Sequence, residues 1–138
     1  MNVAQATPLK TQPAVTTGIL LFAHGSRDPV WRTPFERVLV RVSQTHTGPV
    51  ALGFLEHMQP DFKQVSADLI GQGATHIRVV PLFLAAGGHV RQCIPDLIGH
   101  ARIAYPSVQF ESTPPLGESE RVIDVLTDIA LGQHEPVT

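Results

Sequence analysis

The fold of this sequence is indicated most clearly by apolar runs that alternate with segments of helical spacing. Three such runs are predicted to be strands, Thr17 to Ala23, Val50 to Leu55 and His76 to Leu84, and Val108 to Glu111 is a candidate for a short fourth strand. The longer runs are almost continuously apolar. They lack the period-two alternation of apolar and polar residues that is typical of a strand with one solvent-exposed face. We therefore predict an α/β fold with a parallel sheet of about four strands, covered by helices on both sides.

The segments that follow the strands have the spacing of helices. In the first segment the apolar residues recur at i, i+3, i+4 and i+7, which is one helix face: Phe35, Val38, Leu39 and Val42. Asp61 and Gln64 have the spacing of a capping box at the start of a second helix. A third helix is expected to begin near Pro95, because proline is tolerated in a first turn. The clearest helical face of the chain lies in the last segment: Val122, Val125, Leu126, Ile129 and Ala130.

Length and charge limit the domain organisation and the partners. With 138 residues, of which 43% are hydrophobic, the chain is long enough for one compact domain and too short for two ordinary ones. We predict a disordered N-terminal tail over residues 1–16, a single domain over 17–132 and a C-terminal tail over 133–138. A net charge of -2 gives no reason to expect nucleic acid as a partner.

The expected environment of the protein follows from its apolar runs and its cysteine content. No apolar run approaches the roughly 20 residues that span a bilayer, so we expect no membrane partner. The single cysteine, Cys93, excludes an internal disulfide framework and fits a reducing compartment. The sequence therefore predicts a soluble, cytoplasmic protein.

Three residues with acid–base or metal-binding chemistry follow the ends of three different predicted strands. They are His24, Glu56 and His89. Because ligands of parallel α/β sheets bind beyond the carboxyl ends of the strands, we expect these side chains along one rim of the sheet. Two imidazoles and a carboxylate favour a divalent first-row metal ion. Glu56 can be a further ligand or a base, and the residues alone leave both roles open.

The other notable residues are interpreted more simply. Gly25, Gly87 and Gly88 remove side-chain bulk beside the two imidazoles, which leaves room for a large flat ligand. Ser26 is interpreted as a loop or cap residue, because no G-x-S-x-G motif surrounds it and no phosphate-binding glycine motif follows any strand. The remaining histidines are interpreted as surface or helix-cap residues: His46, His57, His76, His100 and His134.

Three motifs in order along the chain carry a family resemblance. "LLFAHGSRDP", "FLE" and "VVPLFLAAGGHVRQCIPDL" together resemble the class II tetrapyrrole chelatases, in particular the small single-lobed sirohydrochlorin chelatases of cobalamin and siroheme synthesis. The resemblance runs from about Gly18 to Leu97, with a weaker echo in "PPLGESERVIDVLTDI". It implies a chelatase-like three-layer fold over residues 17–132 and insertion of Co²⁺ or Fe²⁺ into sirohydrochlorin, with no tightly bound cofactor.

The resemblance also assigns roles to the rim residues. It implies that His24 and His89 bind the metal and that Glu56 matches the site glutamate of the family. The chain departs from the family pattern at Cys93, where many relatives have an acidic residue.

The substrate that the resemblance implies suggests further binding residues. Sirohydrochlorin carries many carboxylates, and Arg27 and Arg91 lie close in sequence to the two histidines. We predict that these arginines, with Gly87 and Gly88, bind the tetrapyrrole.

A single domain of this size can contact a flat ligand on one side only. The resemblance implies that short chelatases form their ligand-binding cleft from two chains. We therefore expect a homodimer. Two alternatives stay open. One is a non-catalytic divalent-metal-binding or carrier protein that uses the same histidine and glutamate residues, and the other is a chelatase-like scaffold that binds no metal.

Overall fold

A computed structural model describes residues 14–133 of the chain. The elements in chain order are β1 (Thr17–Ala23), α1 (Thr33–Thr45), β2 (Val50–Phe54), α2 (Phe62–Gly71), β3 (His76–Pro81), α3 (Gly88–Ala104), β4 (Gln109–Ser112) and α4 (Glu120–Ala130). Short 3-10 turns at Pro29–Arg32 and Leu116–Glu118 precede α1 and α4. None of the helices in residues 14–133 combines the length and the apolar character that a membrane crossing requires.

The four strands form one parallel sheet in the order β2-β1-β3-β4, which confirms the predicted α/β architecture. β1 lies between its two partners, with Leu20 in register with Ala51 on one side and with Val79 on the other. The chain leaves β1 towards β2 on one side and later returns to place β3 on the other side. Such a reversal of strand order creates the crevice in which open α/β sheets bind ligands.

The two faces of β1 are covered by different helices. Leu20 and Phe22 belong to a core cluster that includes residues of α2 and α3, whereas Ile19, Leu21 and Ala23 pack with residues of α1. Because both faces are buried, nearly every position of the strand is apolar. This double burial explains the continuous apolar run in the sequence.

The start of α2 is as predicted. The Asp61 carboxylate accepts a hydrogen bond from the Gln64 backbone N–H at 2.9 Å, and the Gln64 side chain accepts one from the Asp61 N–H at 2.8 Å. This reciprocal pair is a capping box, and it satisfies two of the backbone donors that a helix start leaves open.

The predicted start of α3 near Pro95 is wrong, because the helix begins at Gly88 and contains Pro95 in its interior. A proline inside a helix costs one backbone hydrogen bond. Here the neighbouring Ile94 and Ile98 are buried against the sheet, and this packing holds the helix together across the proline. As a consequence, His89 and Arg91 lie in the first turns of α3 and not in a preceding loop.

The predicted tails fall largely outside residues 14–133, so the domain boundaries stay a prediction. Within the described part, Thr16 is attached to the start of β3. The backbone N–H groups of Thr75 and His76 donate to the Thr16 carbonyl at 2.8 and 3.1 Å.

Candidate functional site at the carboxyl rim

The loops that follow β1 and β2 continue side by side beyond the sheet. The Leu55 N–H donates to the Ala23 carbonyl at 2.9 Å, and the Glu56 N–H donates to the His24 carbonyl at 3.0 Å. The parallel pairing of the two strands is therefore extended past their ends. This extension fixes the backbone of Glu56 directly beside that of His24.

Gly25 permits this close approach of the two loops. Its φ is +98°, and a side-chain carbon at this position would overlap the carbonyl oxygen of Glu56. The expectation was that Gly25 leaves room for a flat ligand. In the structure the space beside it is instead filled by the Glu56 backbone, so this glycine positions the site.

The side chains of His24 and Glu56 form a hydrogen bond at the rim. The distance from His24 Nε2 to Glu56 Oε2 is 2.9 Å, and the side chains are 44% and 51% exposed. Since a carboxylate only accepts hydrogen bonds, this contact requires a proton on Nε2. A metal ion that binds His24 through Nε2 must replace that proton and would meet the carboxylate at the same place.

His57 is a site residue that the sequence analysis missed. Its Nε2 lies 3.5 Å from the same Oε2 atom of Glu56, so two imidazoles face one carboxylate oxygen. Its backbone has a φ of +67°, a left-handed conformation that few residues other than glycine adopt. The only signal in the sequence was the adjacency of His57 to Glu56, and the left-handed conformation of its backbone left no signal there.

His89 lies on a different element from this group. His89 is the second residue of α3 and is exposed to solvent. Nowhere in residues 14–133 do three His, Cys, Asp or Glu side chains lie close enough together to hold one metal ion. A joint metal site of His24, Glu56 and His89 therefore stays a prediction.

The surface around the start of α3 is open. A side-chain carbon at Gly87 would have no neighbour within 4 Å, and one at Gly88 would meet only the Arg91 side chain at 3.9 Å. Leu84, in the preceding loop, is 52% exposed. An open apolar and glycine-rich surface of this kind can contact a flat macrocycle.

The two arginines that were predicted to bind the tetrapyrrole lie at different places. Arg27 is exposed in the loop after β1. Arg91 lines a groove of about 330 Å³, whose other walls come from α3 and from Thr113 and Pro115 after β4. Their binding roles stay predictions.

Neighbouring residues support the rim. The buried Phe83 ring lies edge-on to the His24 imidazole, with ring centroids 6.2 Å apart. The Asp28 N–H donates to the Ser26 hydroxyl at 3.0 Å, so Ser26 holds the shape of the loop. His46 caps the carboxyl end of α1, which agrees with its interpretation as a helix-cap residue, and its Nε2 lies 2.7 Å from the Thr17 carbonyl oxygen.

The parallel sheet and its match to a solved CbiX structure place the chain in the class of chelatase-like α/β proteins. The family model described as CbiX matches residues 18–130, and the chain belongs to this CbiX family. Sirohydrochlorin cobaltochelatase from Saccharolobus solfataricus is 36% identical over 115 residues, which cover 79% of this chain and 89% of the relative. A sirohydrochlorin cobaltochelatase from Methanosarcina acetivorans is 31% identical over 117 residues, with 79% and 90% covered.

Solved structures show the same fold. A protein from Marinobacter aquaeolei VT8, described as a cobalamin (vitamin B12) biosynthesis CbiX protein, superposes with a TM-score of 0.75 at 29% identity, covering 85% of this chain and 96% of that one. The sirohydrochlorin chelatase SirB from Bacillus subtilis subspecies spizizenii, solved in complex with cobalt, has a TM-score of 0.75 at 28% identity. The match covers 86% of this chain and 51% of the SirB chain, so this chain spans about half of SirB.

Proposed function

We propose that this protein is a chelatase that inserts a divalent metal ion, Co²⁺ or Fe²⁺, into sirohydrochlorin. The observation that carries the proposal is the exposed His24–Glu56 pair, with 2.9 Å between Nε2 and Oε2, at the rim between adjacent strands. Membership of the CbiX family and two relatives named sirohydrochlorin cobaltochelatase support the reaction and the substrate. SirB structures with cobalt and with Fe³⁺ support a metal ion as the second substrate.

The reaction makes two demands that these residues meet. An M²⁺ ion must exchange its water ligands for four ring nitrogens, and two pyrrole N–H protons must leave the macrocycle. A neutral imidazole binds a first-row divalent ion and can release it again, because the ring nitrogen is a ligand of intermediate softness. We assign this holding role to His24 and His89.

Glu56 is suited to the proton transfers. Its carboxylate is half exposed and already accepts a hydrogen bond from an N–H donor, the His24 imidazole. A pyrrole N–H can replace that donor once His24 binds the metal. Glu56 then takes the pyrrole proton and passes it to water, and the ring nitrogen donates its lone pair to the ion.

The direct test supplies purified protein with sirohydrochlorin and one metal at a time, Co²⁺, Fe²⁺ or Ni²⁺. Metal insertion changes the absorbance spectrum of the macrocycle, and we expect the change to be faster with protein than without it. Equal rates with and without protein for every metal would overturn the proposed function. The ranking of the three metals identifies the preferred substrate.

Glu56→Gln separates a chelatase from a metal carrier. The amide keeps the size of the side chain and removes its basicity. Because a positioned acid or base contributes roughly 10²- to 10⁴-fold to a rate, we expect turnover to fall by about 100-fold or more, with Co²⁺ binding partly retained. A carrier needs the ligands and not the base, so it would keep its metal binding in the variant and show no metal insertion in either form. Undiminished turnover in the variant would contradict the role of Glu56 as the base.

Finer features of the proposal go beyond the fold and the family. The tetrapyrrole is proposed to bind beside Arg27, Gly87, Gly88 and Arg91, on the open surface at the start of α3. We further propose that the protein works in the cytoplasm as a homodimer. Cys93 is a free thiol, which suits a reducing compartment.

A further inference from the structure

His57 has a backbone conformation that its residue type disfavours. Its φ is +67°, and within residues 14–133 it is the only residue other than glycine with a positive φ. Residues in this left-handed region persist where the surrounding structure holds them, and they are concentrated at functional sites. The conformation of His57 therefore points to a functional constraint on the loop after β2.

Both neighbours of His57 in the chain are held in place. On one side, the Glu56 N–H donates to the His24 carbonyl at 3.0 Å. On the other side, Met58 packs against the core cluster that lies on the α1 side of the sheet. The backbone of His57 is thus fixed from both directions, which is the condition under which a disfavoured conformation is retained.

The His57 imidazole faces the carboxylate of the preceding residue. Its Nε2 lies 3.5 Å from Oε2 of Glu56, the same oxygen that His24 Nε2 contacts at 2.9 Å. The shorter distance is a hydrogen bond and the longer one exceeds the range of about 2.7–3.2 Å for N–H···O bonds. Glu56 is therefore paired with His24 in this structure, and His57 is the next donor within reach.

The pair of His24 and Glu56 cannot persist when His24 binds a metal ion through the same nitrogen. A carboxylate only accepts hydrogen bonds, so His24 Nε2 carries the proton in this contact, and the metal must displace it. Oε2 of Glu56 then loses its donor. Since a general base must lie within about 2.6–3.2 Å of the proton that it takes, a carboxylate that changes rotamer would often lie out of position.

His57 can replace His24 as the donor to this oxygen. A neutral imidazole with its proton on Nε2 can donate to Oε2 after a small movement of the carboxylate. The His57 side chain is 34% exposed and that of Glu56 is 51% exposed, so the carboxylate is the less confined of the two groups. A carboxylate accepts hydrogen bonds at both oxygens, and Oε1 stays available for a pyrrole N–H.

We infer that His57 is a positioning residue of metal insertion, which donates a hydrogen bond to Glu56 Oε2 when His24 leaves that oxygen to bind the metal ion. In this role His57 contacts neither the metal nor the reacting ring nitrogen, and no proton passes through it. The inference rests on the proposed function, because it orients Glu56 for the proton transfer assigned there.

The test compares two substitutions that place an equally disfavoured residue at the positive φ. His57→Leu removes the donor, whereas His57→Gln places an amide N–H at about the reach of Nε2. With Co²⁺ and sirohydrochlorin, we expect kcat to fall roughly 10-fold in His57→Leu with little change in KM, as for loss of a hydrogen bond to a charged group. His57→Gln should recover most of this loss. Wild-type turnover in His57→Leu, or an equal loss in both variants, would overturn the role.

A double-mutant cycle with Glu56 distinguishes positioning from a general distortion of the loop. If His57 acts through the Glu56 carboxylate, His57→Leu should lower turnover much less in a Glu56→Gln background than in wild type, because the two side chains act as one unit. A distorted loop would lower turnover by the same factor in both backgrounds. Such an additive result would count against the inference.

Two further variants serve as controls. Glycine adopts a positive φ readily, so His57→Gly should resist denaturant at least as well as wild type and still lose as much turnover as His57→Leu. A less stable His57→Gly protein would show that the imidazole holds the loop, and it would contradict the positioning role. His100→Leu changes an exposed histidine whose Nδ1 lies 2.9 Å from the Asp96 carbonyl of its own helix, and it should keep wild-type turnover.

A crystal structure with Co²⁺ bound gives a readout that does not depend on turnover. With the metal on His24, we expect Glu56 Oε2 within about 3.2 Å of His57 Nε2. An Oε2 atom that coordinates the metal, or that stays paired with His24, would refute the exchange of partners. A wild type that inserts no metal refutes the proposed function and this role with it, whereas metal insertion that is unaffected by His57→Leu refutes the role of His57 alone.

Discussion

At the scale of single residues, Gly25 determines whether the rim can form. With its φ of +98° and the Glu56 carbonyl against its α-carbon, Gly25→Ala must either strain the backbone or push the Glu56 loop away. We expect a loss of roughly 1–3 kcal/mol in the free energy of unfolding, the usual cost of a strained backbone residue, together with loss of metal insertion. Denaturant unfolding and the absorbance assay measure the two effects.

Gly99→Ala is a matched substitution that should increase the free energy of unfolding instead of lowering it. Gly99 lies inside α3, has no neighbour within 4 Å of a side-chain carbon and needs no positive φ. Alanine in a helix interior is more favourable than glycine by about 0.5–1 kcal/mol, so this variant should be more stable than wild type. Equal effects of the two substitutions would contradict the structural role of Gly25.

The residues of the site show how far the sequence can predict it. His24 and Glu56 were predicted from their places after apolar strands, and the structure joins them through a hydrogen bond. The position of His57 depends on a single left-handed backbone residue. The role of Gly25 depends on a contact 31 positions away in sequence, with Glu56. Neither a dihedral angle nor a contact between distant residues leaves a local pattern that could be detected in one sequence.

At the scale of elements, the strands were easier to predict than the helix starts. β1 was predicted to its end residues, because burial on both faces makes the whole strand apolar. α2 was predicted from its capping box, which is a local hydrogen-bond pattern. The start of α3 was misplaced because Pro95 is a local signal for a helix start, and packing of the residues around it against the sheet overrides that signal.

α3 itself provides a test of the site. His89 and His100 are both exposed histidines of this helix, but His89 lies in its first turn at the rim and His100 lies three turns further along. We expect His89→Ala to lose most of the metal insertion rate and Co²⁺ affinity, because a proposed metal ligand is removed. His100→Ala should retain both. Comparable losses in the two variants would show that position along α3 does not matter and would contradict the assignment of His89.

At the scale of the whole molecule, pairing and metal binding should both stabilise the fold, and thermal unfolding can separate them. A dimer that unfolds to separate chains has a midpoint temperature that rises with protein concentration, since dilution favours the unfolded chains. We expect this rise for wild type between low and high micromolar concentration. We expect it to persist in Glu56→Gln, because that substitution changes a rim side chain and not the fold.

The stabilisation of the fold by bound metal should not depend on protein concentration. A ligand that binds only the folded state contributes about 2.7 kcal/mol when its concentration is a hundred times its dissociation constant. Added Co²⁺ should therefore raise the midpoint of wild type, and the rise should be much smaller in His24→Ala, which lacks an imidazole at the rim. If the midpoint of wild type does not depend on its concentration, the proposed homodimer is refuted, whereas an unchanged response of His24→Ala to Co²⁺ refutes the metal site.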